Sequence, residues 1–399
     1  MLYYLYNKLA KGKCMIYLNS ASTNKPDKEV LEDFMFCAEN YWHNPSDISQ
    51  TGVDAKNIIR KAQKQIADSI NAKPEEIIFT SGGSESNNWA IKGYLDKYPA
   101  VKTIITTNIE HPSVYNVCKY FSNKNYKVIY VPLDIYGRVD VEKLEHLIKS
   151  NAILFPFVSI MMANNEIGTI NPIKEIAEVV HKYKGVLHVD AVQSFMHSPI
   201  DVEEFGIDMM STSFHKFGGL KGGGFLYIRN GIEITPLIHG GHQFDSKRAG
   251  TENVPMIYAM GNQVERLKAG LTNRLSKTLV AQNYIVHEVY KKCKEYCNVY
   301  LNGHPTERIA NNLSFTFIGI NASNLIALLE MNGIYVSAGS ACSSGDKVPS
   351  RILQAIGLTD EEAFSTIRVT ITHETTVEDV DKFVDILVEC IQNLKIFED

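Results

Sequence analysis

The sequence has no surplus of positive charge: 40 Lys and Arg stand against 45 Asp and Glu, a net charge of −5. That leaves no electrostatic footprint for a nucleic-acid backbone. It has no long apolar run either, and none approaches the ~18 residues that span a bilayer. Cysteine is sparse and odd in number, with seven thiols (Cys14, Cys37, Cys118, Cys293, Cys297, Cys342 and Cys390) scattered over 399 residues. Such scatter builds no disulfide frame and points to reduced thiols. Cys293 and Cys297, four apart on an expected helix, lack a second ligand pair, so packing explains them better than zinc and no metal site is expected. The opening MLYYLYNKLAKGKC has no clean apolar core and no small-residue cleavage site after it. The expectation is a cytoplasmic protein, with residues 1–14 as an N-terminal tail before Met15.

What the chain does have is alternation. Apolar runs at 76–80, 102–107, 127–132, 152–161, 185–191 and 224–228 read as strands, and helical patterns at 141–149 and 173–183 fall between them. Strands that are apolar throughout belong to a mostly parallel sheet with both faces covered. After about residue 265 the character changes. A long charged helical stretch (264–295) leads to the strand-like NNLSFTFIGI, a helix at 323–331, the strand IRVTIT and a final helix from Val377. This predicts an α/β protein with a second, smaller α+β domain.

Three segments carry chemistry. In EIIFTSGGSESNNW a strand ends at Thr80 and a helix begins near Ser84. Free N–H groups and the positive end of the helix dipole meet there, a place for an anion, although Ser84 to Asn87 equally suit a plain helix cap. In HVDAVQS, Asp190 closes an apolar strand at the carboxyl edge, where α/β sheets place ligands; a helix cap is the simpler alternative. In STSFHKFGG, Lys216 sits on a polar turn. A strand-end aspartate, a downstream lysine and a phosphate-holding helix start together fit pyridoxal phosphate. The carboxylate keeps the pyridine nitrogen protonated and the amine joins the aldehyde. A fourth segment, SAGSACSSG, holds Cys342 among small residues that give its backbone great freedom.

The order of FTSGGSESNNWAIKG, IEHPSV, ANNEIG, HVDAVQS, SFHKFGG, HGGHQ, RAGTENV, SAGSACSSG and STIRVTIT resembles the cysteine desulfurases, the branch of the class V aminotransferases that feeds iron–sulfur cluster assembly. The resemblance runs from about Ile16 to the C-terminus. It implies pyridoxal-phosphate fold type I, with a large domain around a mostly parallel seven-stranded sheet at 29–265. The small α+β domain would comprise 15–28 and 266–399 and carry the Cys342 loop. Lys216 would hold the cofactor covalently, Asp190 would pair with its ring nitrogen, and His111 would stack on the ring. Asn165 and Gln193 would contact its phenolic oxygen, with Asn165 also near the substrate. Gly83, Ser84, Ser213 and His215 would hold the phosphate, and Thr251 would reach the phosphate of a second subunit, implying a homodimer. Arg368 would grip the carboxylate of L-cysteine. Cys342 would take the sulfur as a persulfide and pass it to an acceptor protein such as an iron–sulfur scaffold.

The chain departs from the family pattern at Asn19 and Asn24 in NSASTNKPD, at Ser49 in NPSDISQTG and at Leu220 in FGGLKGGG. The first two segments are expected at the active-site entrance, so substrate preference and rate are the properties they would alter. A selenocysteine lyase and a catalytically weak sulfur-transfer scaffold are the alternatives. His239 and His242 flank a Gly turn and read as a hinge rather than as metal ligands.

Overall fold

The computed structural model describes residues 15–338 and 348–396. The chain opens with β1 (Ile16–Tyr17). Seven strands then build the central sheet: β2 (Ile77–Thr80), β3 (Thr103–Thr106), β4 (Lys127–Tyr130), β5 (Phe157–Met161), β6 (Val186–Asp190), β7 (Met209–Ser211) and β8 (Gly224–Ile228). Their spatial order is β2-β8-β7-β6-β5-β3-β4. Only β8 runs against its neighbours. The carboxyl ends of β2, β3, β5, β6 and β7 therefore share one edge of the sheet.

Side-chain alternation along these strands feeds two cores. Ile77, Phe79, Val158, Leu187 and Val189 point to one face, under the helices Gln50–Ile70, Ile173–Lys182 and Val254–Ala269. Ile78, Phe157 and Val186 point to the other, under Gly83–Lys97 and Pro112–Ser122. Burial on both faces is why these strands read as unbroken apolar runs.

The rest of the chain forms β9 (Val299–Asn302), β10 (Asn312–Phe317), β11 (Ile334–Tyr335) and β12 (Thr366–Thr370), with β10 central in an antiparallel trio. β1 pairs in parallel with β11, and Ile16 and Leu18 pack into the core of these later elements. The first described strand is thus anchored to the last part of the chain. Among the described residues no helix is long and apolar enough to cross a membrane.

Three expectations about elements need correction. The run at 152–161 is a strand only from Phe157, because Ala152 and Phe155 adopt positive φ (46° and 55°) and Pro156 follows. The helical stretch at 264–295 is two helices, Val254–Ala269 and Leu271–Cys293, broken at Gly270, whose φ of −103° and ψ of 8° are not helical. Cys297 therefore lies beyond the helix that ends at Cys293; both thiols are buried, and burial raises the Cys293 pKa to about 12. The short strand β7, Met-Met-Ser, carries no sequence signal of its own.

Candidate active site

The shared edge of the sheet opens into a cavity of about 390 Å³. Its base is the turn after β2. Gly82 has a φ of +141°, a conformation that L side chains rarely adopt, and a Cβ on Gly83 would sit 2.6 Å from Val192 Cγ2. Only glycine lets the backbone approach this closely. The helix Gly83–Lys97 starts there with N–H groups that have no intrahelical partner. Ser84, Ser213, His215 and Lys221 line the same cavity. Burial, with the nearby cations Lys216 and Lys221, lowers the His215 pKa to about 4, so this ring is neutral; its Nδ1 lies 3.1 Å from Thr23 Oγ1.

Asp190 ends β6 and is 3% exposed. The backbone N–H of Val192 donates to its Oδ1 at 3.0 Å, and Asn87 Nδ2 donates to its Oδ2 at 2.8 Å. The capping alternative is therefore half realised: one oxygen caps its own turn while the other faces the helix Gly83–Lys97. His111 caps the helix Pro112–Ser122 through Nδ1, which accepts from the backbone N–H of Ser113 at 3.1 Å. Its ring lines the cavity, and desolvation there lowers its pKa. Asn164 caps the turn that follows β5, its Oδ1 accepting from Glu166 N and Ile167 N, which leaves Asn165 to line the cavity.

Lys216 ends a tight turn, Phe214–Lys216. Its Nζ donates to the backbone oxygens of Ala21 and Ser22 at 2.6 and 2.8 Å. Burial and the neighbouring Arg368 charge lower its pKa to about 8, against a partial opposing pull from Asp190. Its own carbonyl accepts from Asn24 Nδ2 and from His197 Nε2. Arg368, on β12 and 6% exposed, donates from Nη1 to Asn165 O at 2.9 Å and from Nη2 to Asn19 Oδ1 and Ser22 Oγ at 2.9 and 2.8 Å. Gln193 Nε2 reaches Ala21 O at 3.1 Å.

The structure thus gathers Gly83, Ser84, His111, Asn165, Asp190, Gln193, Ser213, His215 and Lys216 around one cavity. Arg368 joins them through its bond to Asn165. Thr251 does not line this cavity within the chain; it lines a neighbouring hollow with Ser81, Gly222 and Arg248. Cys342 lies outside the described residues. Of the two segments expected at the entrance, only the first reaches these residues. Ser49 instead caps the helix Gln50–Ile70 by accepting from Gly52 N, and no residue of 44–52 lines the cavity. Sequence reasoning missed Asn87, Ser113 and Lys221. The spacing of Asn87 from Ser84 put both on one helical face, which was the available signal.

These residues fit pyridoxal phosphate. The helix start and its serines suit a dianionic phosphate, Asp190 offers a fixed carboxylate, and Lys216 offers an amine that deprotonates readily. Asn165 Oδ1 and Asn87 Oδ1 are buried with no partner among the described residues, so the cavity wall holds polar capacity that a bound group can use. Among the described residues no group of His, Cys, Asp and Glu could hold a metal ion.

Comparison with known proteins agrees. Residues 16–383 match the family described as aminotransferase class-V. The cysteine desulfurase IscS of Methanosarcina thermophila is 42% identical over 382 residues, covering 95% of this chain and 93% of that protein. The solved structure of a NifS-like protein superposes with a TM-score of 0.88 at 34% identity, covering 96% of this chain and 100% of that one. A structure of SspA in complex with cysteine gives a TM-score of 0.78 at 33% identity, over 90% and 99% of the two chains.

Proposed function

Since the chain belongs to the aminotransferase class-V family, we propose that it is a pyridoxal 5'-phosphate-dependent cysteine desulfurase, converting L-cysteine to L-alanine and keeping the sulfur on Cys342. The observation that carries this reading is the meeting, at one cavity, of Asp190 and Lys216, with Arg368 bonded to the backbone of the cavity-lining Asn165, in a chain 42% identical to a cysteine desulfurase. The cofactor, when bound, withdraws the electron pair released at the substrate Cα.

The chain's own residues do the rest. Arg368 binds the substrate carboxylate with a planar fork whose present partners are all neutral, so no ion pair has to break first. Lys216, whose pKa burial brings down to about 8, takes the Cα proton in its free-amine form, which gains population as pH approaches that value. His111 would hold the face of the cofactor ring and Asp190 its nitrogen. The Cys342 thiolate attacks the substrate sulfur, the Cβ–S bond breaks, and its electron pair stays on carbon, where a proton completes alanine. One sulfur–sulfur bond forms for one carbon–sulfur bond broken, and no outside oxidant is needed.

The persulfide goes to a sulfur-acceptor protein, for which an iron–sulfur scaffold is our choice. Thr251, outside its own cavity, serves the phosphate of a second copy in a homodimer. The protein works in the cytoplasm. To test the activity, purified protein is given L-cysteine and a reductant, and sulfide and alanine are measured together. Equal amounts of both, and one extra sulfur atom on the Cys342 peptide without reductant, are expected. Full-rate sulfide release by Cys342→Ala would defeat the reading.

A further inference from the structure

Asn87 stands one turn into the helix Gly83–Lys97 and is 1% exposed. Its Nδ2 lies 2.8 Å from Asp190 Oδ2 and 2.8 Å from Ser113 Oγ. An amide nitrogen carries two hydrogens, one for each of these acceptors. Ser113 Oγ, already accepting from Asn87, lies 2.7 Å from His111 Nδ1 and gives that nitrogen its own hydrogen. The backbone N–H of Ser113 donates to the same Nδ1. The nitrogen then accepts twice, which confines the proton of the neutral ring to Nε2. The reverse orientation of the amide would set its oxygen against the Asp190 carboxylate, acceptor against acceptor. In the orientation seen, Asn87 Oδ1 has no partner among the described residues, so within them the side chain is used as a double donor.

We propose that Asn87 is a positioning residue for this reaction: a single amide that orients the Asp190 carboxylate and, through Ser113, fixes the tautomer and ring orientation of His111. The proposal rests on the reading that the cavity holds pyridoxal phosphate. Its content is a coupling. The group that faces the ring nitrogen and the group that faces the ring plane come from different strand ends, after β6 and after β3, and would otherwise settle independently. Asn87 ties them, so a change at one is felt at the other. No hydrophobic residue can replace it, and a serine has too few donors.

The test uses holoenzyme carrying Asn87→Leu or Ser113→Ala, with the visible absorbance of the lysine-bound cofactor titrated against pH. Asn87→Leu is expected to move the titration midpoint by about one pH unit and to lower kcat about ten- to a hundredfold, with KM for cysteine held within about twofold. Ser113→Ala spares the contact with Asp190. It is expected to leave the midpoint within about 0.2 units while ¹⁵N NMR shows the His111 Nε2–H preference weakened, since only the backbone N–H of residue 113 still donates to Nδ1. If Asn87→Leu does not fold, Asn87→Ser provides the same readouts, and the midpoint shift is still required. Unchanged midpoint and kcat in the Asn87 variant, or an unchanged His111 tautomer in Ser113→Ala, overturns the relay. A wild-type protein with no lysine-bound chromophore would instead overturn the cofactor reading beneath it.

Discussion

The cavity has two unlike sides. On the sheet side, Asp190, Asn87, Ser113 and His111 satisfy one another within the carboxyl edge of one sheet and the helices that leave it. On the other side, one short segment, residues 19–24, holds Lys216 and, together with Asn165 O, Arg368. Ala21 O and Ser22 O accept from the lysine, Asn19 Oδ1 and Ser22 Oγ accept from the arginine, and Asn24 Nδ2 donates to the carbonyl behind Lys216. Every one of those partners is neutral. A buried cation bound to a carboxylate gains Coulomb energy that a substrate must then displace. Cations parked on carbonyl and amide oxygens keep their charge available. The sheet side is cross-bonded among its own members; the other side is left open to react.

The sharpest way to break this contrast is at the lysine. Lys216→Ala is expected to lower desulfurase turnover by at least ~10⁴-fold, since both the covalent anchor and the Cα base disappear. The cofactor should still bind through the sheet side, and borohydride should fix none of it to protein. Residual turnover above one-hundredth of the wild-type rate would mean that the proton acceptor lies elsewhere.

Arg368 tests whether an uncommitted cation is what the substrate meets. Arg368→Lys keeps the charge but loses the fork, and kcat/KM for cysteine should fall about 10²-fold, chiefly through KM. Arg368→Met should fall roughly tenfold further. Equal losses in the two variants would show that charge contributes nothing beyond geometry. A smaller effect belongs to Asn24→Ala, which removes one bond to the Lys216 carbonyl and should reduce kcat only about three- to tenfold.

The sheet side was largely legible in the sequence, and the reason is local. Asp190 closes an apolar strand, and across the cavity Lys216 sits on a polar turn, so local pattern marks both without any knowledge of distant contacts; Ser213 and His215 came only with the family resemblance. Gly83 and Ser84 are legible in the same way, from a turn that opens a helix. Asn87 was not, because its use depends on Asp190, 103 positions away. The segment Asn19 to Asn24 was visible only as a departure from a family pattern and was expected to alter an entrance. The structure places it against Lys216 and Arg368, contacts made across 195 and 349 positions. No periodicity reports such a pairing, since β1 sits beside β11 only after the chain has closed on itself. β7 escaped notice because three residues carry too little pattern to be read.

The two sides should also differ in how pH loads them. Beside His111 the sheet side buries Glu110, whose Oε1 accepts from Thr107 Oγ1 at 2.7 Å and from Met161 N at 3.1 Å, while Oε2 has no partner among the described residues. Burial pushes its pKa up to about 8 from 4.5. Between these values the folded chain binds a proton that the unfolded chain has released. Stability owed to this group is complete below the lower value and is lost as pH rises through the upper one. On the other side, the Lys216 pKa of about 8 lies below its ordinary 10.5. There the unfolded chain binds the extra proton, so in cofactor-free protein this contribution recovers as pH climbs from about 8 to 10.5. Glu110→Gln keeps an acceptor for Thr107 and Met161 and supplies the neutral form permanently. Its stability relative to wild type should rise by roughly a few kcal/mol as pH goes from 5 to 8 and stay level above that, read from urea unfolding at fixed pH steps. Lys216→Met, in cofactor-free protein, should gain relative stability below pH 8 and lose that gain above it. A flat difference curve for the first variant would mean that Glu110 ionises in the folded protein, and that the sheet side is as accommodating to charge as the side facing it.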